Sequence, residues 1–513
     1  MSEFSEFNTQ DSVDQANMPI LEETYPLIPP FAYAVILTNP VSRRTRYEVT
    51  EAPLSSEEER IFKFIKDVLI EELDVDFQVL SDQNKSQEYL KRQVNLIVKT
   101  YRLKLEPQSY DKIMYYIDRD LIGYGIIQPL MKDPMIEDIS CDGLDKHIYV
   151  WHRNFESIPT NIKFSQEIEL DSFIIKLAQR SGRHISIARP LLDAALPDGS
   201  RLQISYGREV TQFGSTFTMR RFRQDPLTIT DQVIHNTIDS RIAAWYWFLI
   251  EQRMSLLVAG GTAAGKTSFL GALAMMLKPD LKVVSIEDTA ELNLGLENWI
   301  PSVSREGFGD SSDGESRGKI SMFDLLRAAM RQRPDFIVVG EIRGAEAYTL
   351  FQAISTGHSG MGTIHGESVA GVISRLESQP MNVPRPMLKS LNLIHIQRKV
   401  RTRGKFARRA VEITEIVDLD PVTKQLISNP VFERDAGKDV FRFLGRSYLI
   451  TRVTKDTGMS DQDCWREIEK RETVIRWLVK RQIKHFRDVT AIFGEYYSNP
   501  DKVFERAKRG LSA

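Results

Sequence analysis

The sequence predicts an α/β fold whose second half is a largely parallel, buried sheet with crossover helices. Three observations predict it. From Ser255 to Leu277 an apolar strand, SLLVAG, runs into a glycine-rich loop and then into a helix. Downstream, the apolar runs KVVSIED and DFIVVGE alternate with helical patterns such as FDLLRAAMRQR, and such alternation builds parallel sheets. Finally, 513 residues with 42% hydrophobic content exceed one ordinary domain. The break Gln224-Asp225-Pro226 sets a linker at about 225–230.

Taken in order, residues 1–30 are acidic, polar and Pro-containing and read as a mobile arm. Between Phe31 and Pro53 two β-rich runs flank an Asn-Pro and predict a strand pair. Ser55 or Ser56, with Glu58 or Glu59, forms a capping box for the helix EEERIFKFIKDVLIEEL. Ile61, Phe64, Ile65, Val68 and Leu69 fall at helical spacing there, as a core face. From about Ser109 the pattern becomes mixed: a helix through Ile113–Leu121, strands IEDISCDG and HIYVWH, and a helix ending at Gly182. Pro197-Asp198-Gly199 marks a turn, and Ser215–Phe222 is the last strand of this 31–224 unit. After the linker come a helix around Ile242–Met254, the loop strand and its helix, KVVSIED, a long polar segment, FDLLRAAMRQR and DFIVVGE. Beyond Arg398 the pattern predicts an antiparallel hairpin near Thr402–Lys405, then a C-terminal helical extension from about 421, helical from about Asp461 to Arg509.

Composition narrows the function. A formal net charge of -2 excludes a globally basic, histone-like binder. Cys141 and Cys464 stand far apart, so neither a structural zinc nor a disulfide framework is indicated, and a reducing cytosol is the expected home. The opening MSEFSEFNTQDSVDQ is not patterned as a signal peptide. The most apolar run, Ala243–Ile250, is far below the roughly 18 residues of a membrane span. The reading is a soluble protein with at most peripheral membrane contact.

The loop Gly260-Gly261-Thr262-Ala263-Ala264-Gly265-Lys266-Thr267, continued by Ser268, satisfies G-x-x-x-x-G-K-[ST]. Its backbone N–H groups and helix N-terminus suit nucleotide phosphates, with Lys266 on the β- and γ-phosphates and the Thr267 hydroxyl on Mg²⁺. In parallel sheets ligands gather at the carboxyl ends of strands. Glu287, Asp288 and Glu291 follow one such strand, and Glu341 and Arg343 end another. A carboxylate at Glu341 orders Mg²⁺, through water if not directly, or orients the attacking water; single strand-end carboxylates are otherwise solvated loop residues. His358 and His365 in STGHSGMGTIHGES are candidate γ-phosphate sensors, the alternative being structural loop histidines. Arg201, Arg220, Arg221 and Arg223 either stabilise transition-state charge or form a solvated basic strand end.

Together, GGTAAGKT, SIEDTAEL, LLRAAMRQRPDFIVVGEIRGAEA and AISTGHSGMGTIH resemble, in order and spacing, the Walker A, Asp, Walker B and His boxes of the type II/type IV secretion ATPase superfamily. LMKDPMIEDISCDG and PLLDAALPDGSRLQI resemble its regulatory N-terminal domain. The resemblance covers about residues 110–420 and is strongest to the archaeal branch, in particular to archaellum motor ATPases. It implies a RecA-like motor domain over 231–513 preceded by a PAS-like α/β domain with a helical subdomain. It implies ATP and Mg²⁺ as cofactors, a homohexamer with nucleotide between the two domains of each subunit, and docking on a polytopic membrane platform protein with other archaellum motor components. On matching positions it makes Glu287, Glu291 and Glu341 candidates for water activation or metal ordering, and His358 and His365 the His-box residues. It also favours a nucleotide role for the four arginines.

Two departures shape the expectation. The chain cannot form the tetracysteine zinc module common in bacterial members, and its first 53 residues do not resemble pilus-type N-domains. They favour an archaellum or an archaeal pilus over bacterial secretion; the expectation is an archaellum motor, with an archaeal pilus or secretion ATPase as the alternative. A nucleic-acid translocase is the competing class, prompted by the basic hairpin Arg398–Arg409; Phe406 is its sole aromatic, so nucleic acid is not expected. A nucleotide-gated scaffold is disfavoured by Lys266, Thr267 and Glu341. A GTPase is disfavoured because NKSQ at Asn84 lacks the base-reading acid, and an ABC-type ATPase because LSGGQ is absent.

Overall fold

A computed structural model describes residues 18–72, 83–222, 225–305, 318–402 and 405–512. The chain divides into two compact units, Met1–Phe222 and Arg223–Ala513.

Among its described residues the first unit has nine strands: β1 (Ile20–Ile28), β2 (Ala32–Thr38), β3 (Thr45–Glu51), β4 (Ile136–Cys141), β5 (His147–His152), β6 (Glu156–Lys163), β7 (Leu191–Ala195), β8 (Arg201–Ser205) and β9 (Thr216–Arg220). They are ordered β1-β2-β3-β6-β5-β4-β9-β8-β7. The expected N-terminal strand pair and the mixed segment after it thus share one sheet, joined by a single parallel pair, Tyr47 with Thr160. All its other pairings are antiparallel. Ile139, Val150, Leu202, Ile204, Phe217 and Met219 point inward and meet Leu170, Ile174 and Leu177 of the helix Glu167–Arg180.

Helices Ser56–Glu72, Gln83–Thr100 and Pro107–Ile117 bury Ile65, Leu69, Leu90, Val94, Ile97, Ile113 and Ile117 in a cluster of their own, the expected helical subdomain. Ser55 makes the capping box: Glu58 N donates to its Oγ (3.3 Å) and Ser55 N to Glu58 Oε2 (2.7 Å).

Two expectations need correction here. Residues 20–28 are not an arm: they form β1, paired along β2. The acidic, Pro-containing composition concealed it, yet β1 is the edge strand, where the missing N–H of Pro26 costs no ladder bond. Tyr25 and Leu27 supply its inward face. Residues 1–17 of the expected arm lie outside the described residues. Phe64 is exposed rather than core and meets Tyr101 edge-on at 5.0 Å.

The second unit carries β10 (Leu256–Gly260), β11 (Val283–Glu287), β12 (Trp299–Val303), β13 (Phe336–Ile342), β14 (Ser359–His365), β15 (Leu393–Thr402), β16 (Lys405–Leu419), β17 (Leu426–Asp435) and β18 (Val440–Phe443). Their order is β12-β11-β13-β14-β10-β15-β16-β17-β18, parallel as far as β15 and antiparallel beyond it. β12 lies inside the segment read as long and polar; its WIPSV run is short and half-exposed, a sheet-edge pattern rather than a buried one. The helical extension expected from about 421 is corrected too: Leu426–Asp435 and Val440–Phe443 are β17 and β18, which extend the sheet by antiparallel pairing beyond β16, and helix begins only at Tyr448.

The run Ala243–Ile250 is fully used inside the protein. On the helix Ser240–Glu251, Trp245, Tyr246, Trp247 and Phe248 are all buried. Trp247 packs on Phe493 at 4.4 Å and Tyr496 at 4.6 Å, both from the helix Phe486–Ser498. Among the described residues no helix is long and apolar enough to cross a membrane.

Candidate functional site

Parallel strands deliver their last residues to one edge of the sheet, and the candidate site is that edge. β10 ends at Gly260, and the helix Lys266–Ala274 starts six residues later. Two positions of the turn fix its composition. A Cβ on Gly260 would stand 2.2 Å from the Gln397 carbonyl, and Gly265 has φ +83 at the helix N-cap. The helix begins without a side-chain cap, so its first N–H groups and its dipole are presented at the loop, where an anion binds best. Lys266 Nζ turns back on the Gly261 carbonyl at 2.9 Å. Burial lowers its pKa, with Glu341 working in the opposite direction.

β14 lies between β10 and β13 and pairs with both. Its last residue, His365, is in register with Gly260, and its Nε2 lies 2.9 Å from Glu341 Oε1. The other Glu341 oxygen accepts from Arg343, which also reaches Asp288 at 3.8 Å. Burial raises the Glu341 pKa, but the pull of Arg343, His365 and Lys266 leaves it below the usual carboxylate value. Burial and then the Lys266 charge lower the His365 pKa against the pull of Glu341, so the imidazole is neutral at pH 7.

Glu287 is brought to the same edge but faces inward. It is buried, and its Oε1 accepts from the backbone N–H of Glu291 (3.0 Å) and Leu292 (3.1 Å). Burial raises its pKa to about 7, with those two N–H groups working against the rise. A Cβ on Gly340 would lie 2.9 Å from Glu287 Cγ, which explains a glycine just before Glu341. Glu287 therefore holds the turn that presents Glu291, which is exposed. The expectation that Glu287 meets water or metal directly gives way to a positioning role.

His358 is a correction. It immediately precedes β14, whereas His365 ends it. At about 3.3 Å rise per residue the two are on the order of 20 Å apart, on opposite edges of the sheet. The sequence shows both in one glycine-rich segment and does not show that a strand runs between them.

Of the arginines, Arg201 and Arg220 are cross-strand partners on β8 and β9. Each sits beside an aspartate of its own unit, Asp193 at 3.8 Å and Asp138 at 3.2 Å. Arg221 is a further correction: its guanidinium donates to the backbone carbonyls of Asp133 and, at 3.5 Å, Ile136, and so ties down β4. Arg223 lies outside the described residues.

The second half of the same sheet supplies residues that the motifs do not contain. Gln397 on β15 donates to the Ala264 carbonyl (2.7 Å), and Arg408 on β16 to that of Ala263 (3.1 Å). The polar residues alternating in LIHIQ of β15 were the only sequence signal. Arg398 donates to the Glu367 carbonyl at 2.5 Å, and Arg409 is buried against Asp439 and the His235 carbonyl. Among the described residues no group of three or more His, Cys, Asp or Glu could hold a metal. A divalent cation at this loop would take phosphate oxygens and water, as Mg²⁺ usually does, with Thr267 on the first helical turn as the protein ligand.

Residues 121–473 match the family model described as type II/IV secretion system protein, and residues 438–510 match one described as PilB3-like, C-terminal. An uncharacterized protein of Methanocaldococcus jannaschii is 38% identical over 400 residues, covering 77% of this chain and 71% of its own. A second uncharacterized protein of that organism is 45% identical over 251 residues, covering 49% of this chain and 91% of its own. Among solved structures, the Legionella pneumophila ATPase DotB is similar at 17% identity with a TM-score of 0.39, over 74% of this chain and 89% of that one.

Proposed function

The chain belongs to the type II/IV secretion system protein family, and from that premise we propose that it is a mechanical ATP hydrolase. It acts as a homohexamer at the cytoplasmic face of a membrane and powers assembly or rotation of an archaellum through a polytopic platform protein. The observation that carries catalysis is the 2.9 Å pair of His365 Nε2 and Glu341 Oε1 beside Lys266.

Phosphoryl transfer needs positioning and charge stabilisation more than covalent chemistry. The loop N–H groups and Lys266 hold the phosphates, and Thr267, with Glu341 through water, would hold Mg²⁺. That cation supplies neutralisation of the charge that develops on the phosphate oxygens. Because its pKa is held low, Glu341 orients the attacking water rather than acting as a strong base. Neutral His365 stands 2.9 Å from Glu341 at the end of β14, and in this reading it turns its N–H to a γ-phosphate oxygen when nucleotide is bound, which makes loss of the phosphate felt on β14. Arg201 and Arg220 are proposed to add positive charge at the nucleotide during the cycle.

The test is ATP turnover by the full chain alone, with anionic lipid vesicles and with single-stranded DNA. Turnover unchanged by Lys266→Ala would remove catalysis from this loop, and stimulation by DNA alone would overturn the membrane-motor reading. The match of 438–510 to the PilB3-like C-terminal model favours a second reading, an archaeal pilus or secretion ATPase. The engagement of Arg398, Arg408 and Arg409 within their own unit speaks against a nucleic-acid translocase.

A further inference from the structure

Behind the phosphate loop runs a line of buried polar groups that none of the family motifs contains. Tyr246 OH lies 2.9 Å from His395 Nδ1, His395 Nε2 lies 3.2 Å from Gln397 Oε1, and Gln397 Nε2 lies 2.7 Å from the Ala264 carbonyl and 3.4 Å from that of Gly265. Tyr246, His395 and Gln397 are all at most 1% exposed, so no member can turn to water for a partner, and the direction of every bond follows. A carbonyl only accepts, so the Gln397 amide nitrogen faces Ala264 and its oxygen faces His395. His395 Nε2 must then carry the hydrogen, leaving Nδ1 to accept from Tyr246. Burial holds the His395 pKa at about 3, so the ring stays neutral and keeps one tautomer. His395 also stacks on Phe269 of the loop's own helix, with ring centroids 4.2 Å apart.

The geometry of a trans peptide gives this line a purpose. The C=O of one residue and the N–H of the next point in opposite directions. Pulling the carbonyls of Ala263 (by Arg408) and Ala264 (by Gln397) toward the antiparallel half of the sheet turns the N–H groups of Ala264 and Gly265 the other way, into the phosphate cradle. We infer that Tyr246, His395 and Gln397 form a one-way hydrogen-bond relay that, together with Arg408, sets the aim of the phosphate-binding N–H groups. They are positioning residues for nucleotide binding, and the inference rests on the nucleotide-site reading above.

The experiment measures ADP affinity by calorimetry and steady-state ATP turnover in the full chain. Gln397→Leu keeps the volume and leaves the Ala264 carbonyl without its donor. ADP affinity falls about 10-fold, and KM for ATP rises in step while kcat changes much less. Tyr246→Phe removes one oxygen and preserves packing; by leaving the buried His395 Nδ1 without its donor it loosens the line and weakens ADP about threefold. Trp247→Phe removes a comparably buried bond off the relay, the indole N–H to Tyr497 OH (2.8 Å), and leaves ADP affinity intact while lowering the melting temperature. The relay is overturned if Gln397→Leu and Tyr246→Phe bind ADP like the unaltered chain, or if Trp247→Phe weakens ADP as much as Tyr246→Phe. Lys266→Ala separates the two levels: if it too binds ADP normally, the nucleotide site itself is wrong.

Discussion

Among the described residues each unit has a nine-stranded sheet, but the two sheets bring charged residues together differently. In the second, strands β12 to β15 run parallel, so Gly260, Glu287, Glu341 and His365, each last or next to last in its strand, reach one edge together. In the first, Arg201 opens β8 and Arg220 closes β9, and antiparallel pairing also sets them side by side. There Asp138, in register with Arg220, and Asp193, diagonally across from Arg201, come from the neighbouring strands, so much of the positive charge is answered locally. Convergence alone does not make a site. The parallel edge differs because its acids and histidine gather around backbone N–H groups that no side chain caps.

The largest expected effect tests that edge directly. Glu341→Gln lowers phosphate release by about 100-fold or more while ADP still binds, and a smaller loss would move the water-orienting role to Glu291. Next, His365→Ala lowers turnover by about 10-fold or more, whereas His358→Ala stays within about twofold. Equal losses would break the argument that strand direction separates the two histidines.

A third test uses pH. The folded-state pKa of Glu287 is raised by burial from the ordinary 4.5 to about 7, so folding favours its protonated form. Its contribution to stability is greatest below about pH 4.5 and is lost as pH rises through about 7. The melting temperature of the unaltered chain therefore falls more steeply over that window than that of Glu287→Gln. Parallel slopes would mean that Glu287 is already ionised without cost. The smallest effect belongs to the first sheet: Arg220→Ala and Arg201→Ala move the melting temperature by no more than about 2 °C, as expected for exposed ion pairs. A larger drop would show that these arginines hold the sheet together.

Much of this was legible in the sequence for identifiable reasons. The loop, Glu341 and His365 are recognisable because phosphate chemistry restricts residue type at fixed offsets from an apolar strand. Glu287 was located but its orientation was not, because a buried carboxyl and a solvated one occupy the same kind of strand end. Gln397 and His395 carry no motif; they matter through strands that meet β10 only in the fold, some 130 residues away in sequence. β1 and β12 were hidden by composition, since edge strands tolerate the polar residues and prolines that elsewhere signal loops. The direction of β14, which removes His358 from the site, depends on pairing that no local pattern encodes.

The strand inserted between β10 and β13 also acts as a ruler. Adjacent strands are spaced by about 4.8 Å, so β14 holds the loop strand and the Glu341 strand on the order of 10 Å apart. The backbone positions from which the loop and Glu341 start are therefore set by the sheet and not by side-chain packing. Backbone hydrogen bonds along both sides of β14 make the spacing stiff. If the proposed nucleotide site is right, a change in phosphate occupancy would be passed to whole elements rather than absorbed by local slack, a property that force generation requires.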